Sequence, residues 1–120
     1  MTQKRWKTRI KKACREAGTY LPIFDSVIDT LSSILARRDE AIKLFEEDGS
    51  RMIVRHTNKA GAENMEQNPL LRMINDLNRD ALSYWRDLGL TPAGLKKINE
   101  SALKGQQMDA LSAALKELGG

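Results

Sequence analysis

One stretch limits the possible folds more than any other. It is Asn68 to Pro92, NPLLRMINDLNRDALSYWRDLGLTP. Asn68 can cap a helix with its side-chain oxygen, and Pro69 suits the first helical position, where no amide donor is needed. Leu70, Ile74, Leu77, Ala81, Leu82, Trp85 and Leu88 recur at three- and four-residue steps and form one apolar stripe. Gly89 can adopt the left-handed conformation that stops a helix. Thr91-Pro92 then repeats the cap-and-proline signal. A helix with both ends marked, followed at once by another, predicts a helical chain packed around this element.

The remaining segments extend that prediction. A first helix is expected from about residue 4 to 17, stopped by Gly18, with Trp6, Ile10, Ala13, Cys14 and Ala17 on one face. Pro22 and Gly49 bracket a long second helix striped by Phe24, Val27, Ile28, Leu31, Ile34, Leu35, Ile42 and Phe45. At about 1.5 Å per residue it would span roughly 40 Å. That is longer than a compact domain of this size, whose radius of gyration should be about 13–14 Å. The helix must therefore bend or pack part of its stripe on another subunit. Arg38 falls on the stripe, where it can pair with an acid or extend its head to water. The acids Glu46, Glu47 and Asp48 sit at its C-terminal turn, where the macrodipole disfavours them. Residues 50–67 hold one short apolar run, Met52-Ile53-Val54, in polar sequence. They read as an extended arm over a neighbouring subunit or as a surface loop. A fourth helix is expected over about 92–104, broken by Gly105, before a last amphipathic stretch through Met108, Leu111, Leu115 and Leu118. The expected fold is thus all-α, with about five helices, a long second helix and an extended arm. The expected divisions are a basic helix (1–18), a helical core (19–104) and an amphipathic tail (105–120).

Charge separates partners. Residues 1–18 carry seven bases, Lys4, Arg5, Lys7, Arg9, Lys11, Lys12 and Arg15, against Glu16 alone. Residues 19–49 carry seven acids against Arg37, Arg38 and Lys43. The row Lys7, Lys11, Arg15 stacks like charges at i, i+4 spacing, which costs a few tenths of a kcal/mol per pair. The row reads either as a solvated basic face or as charge presented to a polyanion, nucleic acid or an anionic membrane surface; on the nucleic-acid reading these seven bases are the candidate DNA-binding residues. No apolar run reaches the length of a membrane span. A lone Cys14 cannot form an internal disulfide, and one cysteine with one histidine makes a structural zinc site unfavourable. His56 has no nucleophile nearby in sequence, and no phosphate-cradling glycine loop is present. The expectation is a non-enzyme with no cofactor and no metal, in the cytoplasm.

Two readings fit the central stretch. DLGLTPAGLKKI outlines a helix-turn-helix, which would make the chain a small DNA-binding transcriptional regulator acting as a dimer through residues 92–104. Against it, Trp85 stands four residues before the turn glycine, where a small residue normally lets the helices meet. The other reading is a resemblance. Asn68-Pro69, an amphipathic helix, then Leu88-Gly89-Leu90-Thr91-Pro92, preceded by a basic helix with Trp6 and by VRHTNKAGAENMEQNP, resembles the small terminase subunits of tailed bacteriophages. The likeness covers roughly residues 6–98. This chain departs from it at Ala93-Gly94-Leu95-Lys96, where the family often has a small residue and then an arginine.

The resemblance implies a ring-forming homo-oligomer that binds double-stranded viral DNA. It would hand that DNA to a large terminase subunit carrying the ATPase and nuclease. It implies action in the cytoplasm of the infected host, and absence from the mature virion. Ile34, Leu35, Ile42, Phe45, Met52, Ile53 and Val54 are the expected oligomer interface.

Overall fold

A computed structural model describes residues 1–119. Among them the order is α1 (Gln3–Ala17), a single 3-10 turn (Pro22–Phe24), α2 (Asp25–Glu47), β1 (Ile53–Thr57), β2 (Glu63–Gln67), α3 (Pro69–Asp87) and α4 (Pro92–Gly119). Four α-helices replace the five expected, and a small sheet replaces the all-α class; the fold is mostly helical.

The helix ends follow the sequence signals closely. Thr2 caps α1 by accepting from the Arg5 amide, and Gly18 closes it at φ 74°. Asn68 caps α3 by accepting from the Leu70 amide, with Pro69 in the first turn. α1, α2 and α3 form an antiparallel bundle around Ile10, Cys14, Ile28, Leu31, Ile34, Leu35, Ala81 and Leu88. Trp6, Leu77, Tyr84 and Trp85 close its sides, and the Trp6 and Trp85 rings meet edge to face at 6.4 Å. Thr19 donates to the Leu88 carbonyl at 2.7 Å and so ties the α1–α2 connection to the end of α3.

Within residues 50–67, Ile53 to Gln67 form a β-hairpin. Ile53 to Thr57 pairs antiparallel with Gln67 to Glu63. The turn forms because the Asn58 carboxamide accepts from the Ala60 and Ala62 amides, while Gly61 takes φ 80°. Neither strand alternates apolar and polar residues, so the period-2 signal is missing, and almost every hairpin residue is exposed. At the hairpin's root Asn68 is buried. Asn68 donates from its backbone to the Met52 carbonyl and from its side chain to the Arg51 carbonyl, both at 2.8 Å.

The acidic end of α2 also has a local partner. Arg51 reaches back to the Asp48 carboxylate at 2.9 Å and to the Asp48 carbonyl at 3.2 Å. That contact offsets the macrodipole at one of the three acids.

α4 is one helix of 28 residues that runs straight through Gly105. A glycine inside a helix costs about 1 kcal/mol relative to alanine. That weakens a helix without stopping it, and nothing packs near Gly105 to impose another conformation. Trp85 does not hold α3 and α4 apart as expected, because it turns toward Trp6. The close approach is made by Gly94, which is buried against the Arg86 backbone; a Cβ there would lie 2.2 Å from the Arg86 carbonyl oxygen.

The hairpin and α4 leave the bundle at opposite ends of α3. The molecule accordingly measures 85 × 29 × 21 Å, with a radius of gyration of 22.4 Å. A compact chain of this length would have a radius of about 13–14 Å.

Candidate nucleic-acid interface

The seven bases of α1 divide into two sets. One set faces α2. Lys7 bonds the Asp29 carboxylate at 2.9 Å, and Lys11 lies 3.5 Å from that of Asp25. The Tyr20 hydroxyl donates to Asp25 at 2.9 Å, and the Arg15 guanidinium sits over the Tyr20 ring at 4.8 Å. The bond to Asp29, opposed by burial, raises the Lys7 pKa. The Tyr20 hydroxyl, opposed by burial and aided by Lys11 and Lys7, holds the Asp25 carboxyl below the usual range. The i, i+4 acids of α2 thus meet the i, i+4 lysines of α1 across an antiparallel pair. The like-charge row is largely neutralised within the subunit.

The other set faces outward. Lys4, Arg5, Arg9 and Lys12, with Thr2 and Thr8, line one open, shallow surface. All four are exposed, and none makes an ion pair among the described residues. Arg9 rests against the Trp6 ring at 5.6 Å, which limits the freedom of its side chain. Trp6 is held in turn by donating its indole N–H to Asp39 at 2.8 Å. Arg38 pairs with Asp39 at 3.1 Å and also lies over the Trp6 ring at 5.5 Å. Burial raises the Asp39 pKa, but bonds from the Met1 amino group, Trp6 and Arg38 outweigh it and leave it lowered. Asp39 and Arg38 therefore position the indole under the cationic surface. Sequence spacing found the cations but not their division. The matched spacing of Lys7/Lys11 and Asp25/Asp29 was the available signal for it.

The expected oligomer residues also divide. Ile34 and Leu35 are buried in the subunit's own core, so they are not available to a neighbour. Ile42, Phe45 and Val54 are half-buried, and Met52 and Ile53 are exposed. Met65, which pairs with Arg55 across the hairpin, and Met73 on α3 add exposed apolar surface that periodicity did not single out. Among the described residues no group of three or more histidine, cysteine or acidic side chains could hold a metal ion. No described helix is long and apolar enough to cross a membrane.

A three-helix body with a cationic face, a projecting hairpin and a projecting helix defines an elongated, mostly helical protein. The family model for the phage terminase small subunit matches residues 2–104, and the chain belongs to that family. The match includes the bundle, the hairpin and the first half of α4. No curated protein and no solved structure matches the chain. The family supports a role in phage genome packaging and is generally non-catalytic.

Proposed function

We propose that the chain is a non-catalytic packaging subunit that engages viral double-stranded DNA through the outward face of α1. It assembles as a ring and brings the DNA to the large terminase subunit, the ATPase and nuclease, in the infected cell's cytoplasm. The observation that carries the DNA reading is the set Lys4, Arg5, Arg9 and Lys12, exposed together and without carboxylate partners. Each phosphate contact releases counterions. Four contacts would give a log–log salt slope of about −3.6, at about −0.9 per contact. Repeating the face around a ring would turn weak single contacts into avidity.

Family membership favours this role over the dimeric regulator acting through residues 92–104. There Lys96 already lies 3.9 Å from Glu100. The test is charge reversal of Lys4, Arg5, Arg9 and Lys12, with Lys96→Ala/Lys97→Ala as the comparison, in DNA titrations at several salt concentrations. The first variant should lose at least tenfold in affinity and flatten the salt slope, while the second changes little. The opposite ranking would move the DNA surface to α4.

A further inference from the structure

α4 has apolar residues along its whole length and yet almost no net amphipathicity. The reason is that its apolar stripe changes sides. In the first part, Gly94 is buried against α3, and Leu95 and Ile98 approach the Gly89 turn. In the second part, Met108, Leu111, Leu115 and Leu118 are 65%, 56%, 59% and 85% exposed. At about 100° per residue, the two stripes are centred roughly 130° apart. A straight helix that docks its first stripe on its own subunit must aim the second away from it. The second stripe therefore has no partner among the described residues.

We infer that this second stripe packs against the same stripe of another copy. Met108, Leu111, Leu115 and Leu118 step by three, four and three residues, which is the a/d spacing of a helix-to-helix seam. The flanking e and g positions are Gly105, Gln107, Ser112 and Ala114. They carry no charge, so identical copies meet no repulsion beside the seam. Over residues 101–119, Lys104 and Lys116 balance Asp109 and Glu117, so the segment is self-neutral. Recognition of a chemically different partner usually relies on complementary charge at these positions, and none is present. Lys104, at the next d position, marks where the seam ends. The small residues Gly105, Ser112 and Ala114 allow close approach of the two helices. An exposed helix of this length is marginal without packing, so association also accounts for an unbroken α4.

The inference does not require that the subunits close into a ring. The test uses the full chain with single cysteines placed by register. Leu111→Cys and Leu115→Cys lie on the seam, and Ala113→Cys lies on the opposite side of the helix. The native Cys14 is fully buried and provides the background. Under mild oxidation, Leu111→Cys should cross-link copies if the helices run parallel. A mixture of Leu111→Cys and Leu115→Cys should do so if they run antiparallel. In either case cross-linking should exceed that of Ala113→Cys at least fivefold. In parallel, Leu111→Gln/Leu115→Gln should weaken self-association in sedimentation without changing the thermal unfolding of the bundle. A ring that forms without seam cross-links would overturn the inference and leave the ring reading intact. A dimer that cross-links at the seam would do the reverse. Equal cross-linking at all three positions would also overturn it, as would unchanged self-association in the glutamine variant. So would loss in that variant only of binding to a purified large subunit.

Discussion

Gly94 is the residue whose replacement has the clearest outcome. Its missing Cβ is what lets α4 lie against the Arg86 backbone. Gly94→Ala must push the helices apart or distort one of them. Overpacking of this kind costs about 2–3 kcal/mol, which urea unfolding should register. Acid provides a second residue-scale test. Asp25 and Asp39 both titrate lower in the fold than in the unfolded chain. Their contribution is therefore fully present above the unfolded value, about 4. It is lost as pH falls through their lower folded values. Thermal stability should decline below about pH 4, and Asp39→Asn should flatten that decline. Cys14 shows the complementary case. Burial pushes its thiol up, so a thiol reagent should label it only as fast as the bundle opens.

At the scale of elements, the contact between α1 and α2 controls how much positive charge is free. Asp25→Asn/Asp29→Asn would release Lys7 and Lys11 from their partners. If α1 engages phosphates, DNA affinity should rise and the salt slope steepen by up to about 0.9 for each released lysine. A titration series in salt checks this, and an unchanged slope would place both lysines outside the DNA footprint. This contact also shows what one chain of letters could and could not reveal. α1, α2 and α3 were legible because capping residues and 3.6-residue periodicity act locally. The hairpin was not, because its strands face solvent on both sides and its order comes from Asn58, Gly61 and Asn68 rather than from an apolar pattern. The continuity of α4 was hidden because glycine weakens a helix without forbidding it. Which α1 cations were free depended on α2 acids more than a dozen residues away, and Ile34 and Leu35 looked like interface residues until the bundle enclosed them.

At the scale of the molecule, the 85 Å length leaves much of the chain outside its own core. Assembly is the natural way to cover it, and native mass spectrometry at micromolar concentration should find a single large species of narrow mass. A monomer would count strongly against the ring. The root of the hairpin has a further consequence. Asn68 satisfies the Met52 and Arg51 carbonyls and also caps the first turn of α3. Separating the strands at their base therefore removes the cap as well. In hydrogen exchange, the amides of Asn68, Leu70 and Leu71 should behave as one opening unit with a shared denaturant dependence. Asn68→Ala should speed all three together while leaving Ile28 and Leu31 protected. Any load borne by the hairpin would then be felt as a change in the local opening equilibrium of α3.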